Sequence, residues 1–558
     1  MNRFIRTVSW IPACAGMTLK LCRCYALVIW LVANVTVVTA QAPTPRQAAV
    51  LQIGDIGSPT TWDPITATRP VEYHVAQFIF DSMVVARSEG DFVLSLAKEI
   101  AISPDGLSYT FVLHKNLAWS DKTPLTTKDV EFTLAVLLNP ETDNYDSVLA
   151  KYIEDVTCIN PQAITISLSR PFYSPLALFA FKILPKHKLA ADYLKRAHGF
   201  CQNPIGCGPF MLASKSDANC SLTVNPEFQQ RTKPLLDKVT LRFYGQKETA
   251  LEDLLRKKIQ LVTEVSPQDI ATVERKNKEF ALVRYQNPTV HFIAFNHRRE
   301  HRYHALFSDY RFRRALLQAI DRQAILNKTF YAGGKQNQAH VVISGLFPAN
   351  SWAYNDKIKP HPYNFAYAEQ LLKELLSRKG YAKDREQFWS KEHEGRLTLT
   401  LLCPLGDKQV EAACEEMVGT WNRLGLSVTL EKLDDTTIQQ KSHAEHAFDL
   451  VYSQYAFDNT LNLFPLFDPA RAGNGQSNFS GYVDSKLVEL FYQLHATLNP
   501  WLLRAICHKI HQALHDDTVH LFLWQLDLYA AHHRSLKNLK LHPRYLINFP
   551  EKWKIIEK

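Results

Sequence analysis

The densest set of chemically capable side chains in this 558-residue sequence is the run CHKIHQALHD over 507–516. Its histidines, His508, His511 and His515, fall at i, i+3 and i+7, so a helix there presents them on one face. Three imidazoles on a face are the kind of ligand set that holds a transition metal. The chain carries 21 histidines, though, and such a stripe arises readily by chance. The reading preferred is an ordinary, partly exposed helix face, and no metal site is assigned. Seven cysteines lie beyond the N-terminal segment: Cys158, Cys201, Cys207, Cys220, Cys403, Cys414 and Cys507. None forms a CxxC pair of the kind used for zinc or thiol exchange. Seven is odd, so at least one thiol stays unpaired in a monomer, and Cys201, Cys207 and Cys220 leave room for one bridge. The sequence has no Walker loop, GxGxxG turn, HExxH helix or GxSxG elbow. No catalytic residue is assigned, no cofactor is implied, and the chain is expected not to be an enzyme.

The elements around these residues suit a large soluble protein. At roughly 100–200 residues per domain, the length allows about three globular units. Hydrophobic residues make up 46% and charged residues 21%, which excludes a disordered or membrane-embedded chain. With 30 Phe, 22 Tyr and 10 Trp, the chain can build both cores and aromatic ligand walls. The net charge is +9; Arg3, Arg6, Lys20 and Arg23 of the acid-free N-terminal segment leave a modest +5 for the body. Nucleic-acid binding asks for a concentrated basic stripe. The short runs at 256–258 and 311–314 instead sit in amphipathic helical patterns and read as solvated helix faces, so no nucleic-acid partner is expected.

Residues 1–40 read as a signal peptide. Lys20 and Arg23 precede the uncharged apolar run YALVIWLVANVTVVTA over 25–40, which ends in short side chains. That run is short for a membrane span of ~20 residues. Residues 1–16 are an odd extension, and a start at Met17 gives a compact leader by itself. No lipobox Cys follows the apolar run, so no lipid anchor is expected. The product is expected in the periplasm, where disulfides can form.

Periodicity then places strands at Val50–Ile56, Ile100–Ser103, Tyr109–Leu113, Ala163–Leu168, Val239–Phe243, Leu261–Val265 and Val290–Phe295. A turn at 104–106 joins the second and third of these. Helices are expected at Val71–Ala86, from the threonine cap at 126–127 to Leu138, at Glu248–Arg256, and as one long amphipathic element over Asp309–Asn327. Further on, the helices Phe365–Leu376, Val410–Leu424, Leu487–Leu498 and Leu502–His515 alternate with strands Leu397–Cys403, Ser427–Leu430 and His520–Leu526. This alternation reads as α/β.

Local patterns in a fixed order carry a family resemblance. TWDP at 61–64, ISPDGLSYTFVL at 102–113, WSDKTPLTTKDV at 119–130 and NPIGCGPF at 203–210 come first. FSDYRFRRALLQAIDR at 307–322 is the strongest. The helix at 368–380, WNRLGL at 421–426, FDL at 448–450 and NFSGY at 478–482 follow. Together they resemble the family-5 extracellular solute-binding proteins, the peptide- and nickel-binding group, from about Val50 to about Tyr529. Lys122 stands where the family usually has Gly, Cys207 where it has Thr, and the step 254–260 lacks the family's Gly and Asp.

The resemblance implies an α/β periplasmic binding protein fold of type II, class C: two lobes and an inserted domain, three lobes in all. The first lobe comprises 45–90, 195–300 and 526–558, the second is the insertion 91–194, and the third is 301–525. A ligand lies between the first and third lobes and is buried by hinge closure. The implied function is capture of short peptides for an ABC permease in the inner membrane, by a monomer. A nickel chelate, haem, opine or sugar is the alternative ligand, and a ligand sensor the alternative role; the fold begins about ten residues past the leader, so no DNA-binding domain is expected ahead of it. In peptide binders of the family an Asp after the "FD" strand pairs with the ligand's amino terminus. Asp458 is the candidate here, Asp468 the other assignment, and a loop-capping Asp the ordinary one. Tyr455 and Phe457 flank it and suit stacking on a ligand or core packing alike; Asn478 is a contact by position. Trp421 and the helix at 307–322 are assigned to structure.

Overall fold

The computed structural model describes residues 48–88, 91–142, 146–190, 199–228, 232–285, 289–330, 340–349, 351–457, 460–542 and 546–556. The chain divides into Met1–Ala48 and Ala49–Lys558. The leader expectation lies outside the described residues, and the architecture below is that of the second unit.

Three sheets organise it. A seven-stranded sheet is built on Val50–Ile56, which pairs in parallel with Lys238–Tyr244 on one side and Leu261–Val262 on the other. Asn219–Val224 and Phe210–Lys215 extend one flank; Leu528–His533 and Phe280–Tyr285 extend the other. Alternation in Val50–Ile56 buries Leu51 and Ile53, and both faces are covered, as a parallel strand pair requires. A four-stranded antiparallel sheet, Ala97–Ile102, Ser108–Leu113, Ala163–Leu168 and Ile153–Asn160, falls within 91–194. Its inward residues Tyr109, Phe111, Ile164 and Ile166 pack with Phe172 and Phe179 in one core. A six-stranded sheet runs His340–Val342, Leu521–Leu526, Thr289–Phe295, Leu450–Ala456, Thr398–Pro404 and Ser427–Leu433. Thr289–Phe295 thus joins this sheet, ahead of residue 301 where the sequence reading begins the third lobe. The protein is a mixed α/β fold built on several sheets, as expected.

Two helical expectations change. Val71–Ala86 is a helix only over Pro70–Ile79; Phe80 is extended, and Val84–Ser88 pairs as a strand with Asp91–Leu94. Asp309–Asn327 is two helices, Tyr310–Ala319 and Arg322–Thr329, because Ile320 is extended and the Asp321 side chain caps the second by accepting from Ala324 N at 2.9 Å. The break turns Arg322 inward. Its guanidinium, 4% exposed, donates to the carbonyls of Ile343 (3.2 Å), His361 (2.6 Å) and Phe522. Arg313 likewise donates to Thr518 O at 2.9 Å and to the Asp517 carboxylate at 2.7 Å. The 307–322 pattern is therefore a clamp that ties helices to the six-stranded sheet. Trp421 is fully buried and donates from Nε1 to Leu316 O at 3.0 Å.

NPIGCGPF has a packing reason. A Cβ on Gly206 would meet Ile79 O at 1.9 Å, and one on Gly208 would meet Phe78 O at 2.7 Å, so only glycine lets this loop lie on the end of helix Pro70–Ile79. Asp449 of the FDL step is buried and accepts from His301 Nε2 (3.0 Å), Arg302 Nη2 (3.0 Å) and Thr400 N (2.8 Å). Burial pushes its carboxyl up, but these bonds outweigh it and hold the pKa below the ordinary value.

Candidate functional site

The strands Thr398–Pro404 and Leu450–Ala456 run parallel but pair only at Leu401↔Leu450 and Leu402↔Val451. Beyond that point they diverge. Leu450–Ala456 stays paired on its other side with Thr289–Phe295 as far as Ala456. Over 452–456 its second edge therefore has no strand partner among the described residues. The chain leaves Thr398–Pro404 through helix Lys408–Arg423 to reach Ser427–Leu433 on one side, whereas Leu450–Ala456 lies on the other. Connections that part in opposite directions at the carboxyl ends of parallel strands open a crevice there.

A cavity of about 1090 Å³ occupies this crevice. The six-stranded side contributes residues 404–410, Tyr452 to Tyr455, His443 and Phe479, and the 475–477 loop. Lys247, Ser266 and Gln268, from the region of the seven-stranded sheet, form the facing wall. The cavity is thus walled from the regions of both sheets, with a strand edge along one wall.

Its polar groups are largely set by internal bonds. Asp407 caps helix Lys408–Arg423, accepting from Gln409 N at 3.0 Å and Val410 N at 3.1 Å. Lys247 is ion-paired with Glu264. His291 Nδ1 lies 2.9 Å from Tyr452 Oη; burial, then the charge of His340, lowers the His291 pKa to about 4, so this imidazole is neutral at pH 7. His443 stacks on Phe479 at 4.4 Å with Nδ1 2.8 Å from Ser442 Oγ, and burial again lowers its pKa. Strand edge, aromatic faces and neutral imidazoles suit a ligand with its own backbone-like donors and acceptors. Among the described residues no group of three or more His, Cys, Asp or Glu side chains is placed to hold a metal ion.

The sequence-derived candidates fall in different places. Tyr455 lines the cavity, donates from Oη to Asn462 O at 2.7 Å, and meets the Phe457 ring edge-on at 4.9 Å. Phe457 is 2% exposed and packs with Phe347. Asn478 is fully buried; Nδ2 donates to Tyr482 O at 3.1 Å and Oδ1 accepts from Gly481 N at 3.1 Å. Its neighbours Ser477 and Phe479 line the cavity. Asp468 caps the turn Pro469–Arg471, accepting from Ala470 N at 3.0 Å. Asp458 lies outside the described residues. The sequence reading missed the wall at 404–410 and the facing wall of Lys247, Ser266 and Gln268. The first was within reach, since loops after parallel strands of an α/β sheet are where ligands bind; the second carries no local signal.

The histidine stripe proves dispersed in role. His511 is fully buried, with Nε2 3.0 Å from Ser344 Oγ and Nδ1 accepting from Asn355 N at 3.0 Å. His515 stacks on His361 at 3.9 Å. All seven body cysteines are free thiols.

The chain is 26% identical over 421 residues to a putative ABC transporter peptide-binding protein of Brucella ovis, covering 74% of this chain and 72% of that one. It is 24% identical over 522 residues to the oligopeptide-binding protein AppA of Bacillus subtilis, covering 92% of each. The solved structure of that AppA in complex with a nonapeptide superposes with a TM-score of 0.73 at 22% identity, over 92% of this chain and all of that one, and shows the shared fold. The family model for bacterial extracellular solute-binding proteins, family 5, matches residues 91–478. With that match across most of its length, the chain belongs to the family-5 bacterial extracellular solute-binding proteins.

Proposed function

We propose that this protein is exported by cleavage of its leader after Ala40, binds short peptides between its lobes as a monomer in the periplasm, and passes them to an ABC permease of the inner membrane. It does no chemistry on them. The observation that carries the reading is the unpaired edge of Leu450–Ala456 along a cavity of about 1090 Å³. An extended peptide presents backbone donors and acceptors to such an edge whatever its side chains. Relatives named as an ABC transporter peptide-binding protein and as an oligopeptide-binding protein support it. In this reading the lobes are 45–90 with 195–300 and 526–558, then 91–194, then 301–525.

Asp458, directly after Phe457, holds the ligand's amino terminus, because a buried ammonium needs an anionic partner. Tyr455 and Phe457 shape the wall beside it. Asn478 acts through the loop it orders, setting Ser477 and Phe479 against the ligand. Asp458→Ala is expected to weaken binding of a free-amino tripeptide about 10- to 100-fold, the range for a lost charge-assisted bond. Calorimetric titration checks this, with an N-acetylated tripeptide as control that loses little; equal affinity of variant and wild type for the free-amino form removes Asp458 from the site.

A further inference from the structure

The cleft wall at 404–410 is one continuous stretch of chain leading from strand Thr398–Pro404 into helix Lys408–Arg423, and a cysteine stands on each side of it. Cys403 is the last residue but one of the strand; Cys414 lies in the second turn of the helix. By alternation along the strand, Leu399, Leu401 and Cys403 share the core that holds this helix, whereas Leu402 belongs to a different core. Cys414 is on the inward face of the helix with Ala413 and Met417. Both cysteines are fully buried, and their thiols are in hydrogen-bonding contact with each other. Tyr452, which lines the cleft, lies in the same core. The sequence left room for a bridge among Cys201, Cys207 and Cys220, but Cys207 and Cys220 sit in separate cores, and Cys201 Sγ lies 3.4 Å from Thr61 Oγ1.

We propose that in the exported protein Cys403 and Cys414 are joined as a disulfide, which staples the two ends of the cleft wall together. The structure holds the same pair as thiols. The bridge rests on the reading that the chain is exported to an oxidising compartment, and not on what the ligand is. It forms before the core closes. The Cys403 thiolate attacks one sulfur of an external disulfide, giving a mixed disulfide and releasing one external thiolate. The Cys414 thiolate then attacks the Cys403 sulfur, forming the Cys403–Cys414 bond and releasing the second external thiolate. The cysteines are oxidised, each having lost its proton, and the external disulfide is reduced to its thiols. Folding then closes the pair to exchange: both sulfurs are buried, and the neighbouring Cys403 thiol and burial hold the Cys414 pKa well above the ordinary thiol value. A bridge across so short a loop limits the conformations open to 404–413, so the wall keeps its place with or without a ligand.

The test takes the protein from an exporting host, alkylates it with iodoacetamide in denaturant without reductant, and digests it with trypsin. Peptides 397–408 and 409–423 carry one cysteine each. Mass spectrometry is expected to find them as one linked species that separates on reduction. Alkylated Cys403 and Cys414 in a protein whose leader has been removed overturn the proposal, as does a link from either to another cysteine. If the leader is still attached, the export reading has failed, and the pair is judged by refolding the reduced chain in a glutathione redox buffer. The same linked species then supports the bridge; alkylated or glutathione-capped cysteines overturn it. For the wall, amides 405–410 are expected to exchange hydrogen about 10-fold faster in the Cys403→Ala/Cys414→Ala variant than in the bridged protein. Equal exchange overturns the stapling. Should that variant fail to fold, wild type refolded in dithiothreitol takes its place.

Discussion

At the residue scale, the sequence's departures from the family pattern have a conformational meaning. Lys122, where the family usually has Gly, adopts φ +70°, and its N–H donates to Trp119 O at 2.8 Å to close the turn. Within the step 254–260, Lys257 adopts φ +62°. It ends helix Lys247–Leu255 with the paired bonds of a Schellman motif, from Lys257 N to Leu254 O and from Lys258 N to Asp253 O. The fold keeps the left-handed positions and bears the strain of a side chain at each. Lys122→Gly is therefore expected to stabilise the protein by about 0.5–1 kcal/mol, the relief of left-handed strain less the flexibility added to the unfolded chain. Urea unfolding checks it: a higher midpoint at the same slope is expected, and a lower midpoint would mean that the lysine makes a contact worth more than the strain. Glycines such as Gly206 are legible as a motif, yet their reason, contact with the end of a distant helix, exists only in the folded chain.

At the element scale, strands with clear alternation were legible nearly to the residue, as Val50–Ile56 and Ala163–Leu168 illustrate. The two helical misreadings share a cause. Apolar periodicity runs on through Phe80 and Ile320 because those residues are buried too, while their extended backbone ends each helix. The cleft was legible only on the wall that carried a motif. Residues 404–410 converge on it through strand divergence, which is a property of two strands and not of either sequence.

The six-stranded region also carries buried imidazoles. Burial lowers the pKa of His291, His340 and His511 to about 4 and of His520 to about 3. A histidine with a depressed folded pKa contributes its stability above the unfolded value of about 6.5 and loses it as pH falls from there toward 4. At pH 5 each such group costs on the order of 1–2 kcal/mol relative to pH 7, a range in which most carboxylates stay ionised. Thermal unfolding between pH 7 and pH 5 is expected to show a marked fall in midpoint. A flat profile would mean that these imidazoles stay neutral in the unfolded chain or find water in the folded one.

At the scale of the whole molecule, the cavity is walled by residues from the regions of two different sheets. The seven-stranded sheet begins at Val50 and is completed by Leu528–His533, so the chain crosses to the six-stranded sheet and returns. The family match over 91–478 covers the four-stranded sheet and most of the chain that follows it, so motifs in a fixed order carried the resemblance where no one of them did. What motifs do not encode is the ligand. The cavity has a strand edge along one wall, and an extended peptide can pair with such an edge whatever its side chains.

The most direct test of that account is native mass spectrometry of the mature protein, purified without denaturation from a host that exports it. The account predicts a heterogeneous set of co-purified masses that resolve, on release, into short peptides of related length. A single non-peptide mass, or an empty protein that also ignores an added peptide library, would contradict it.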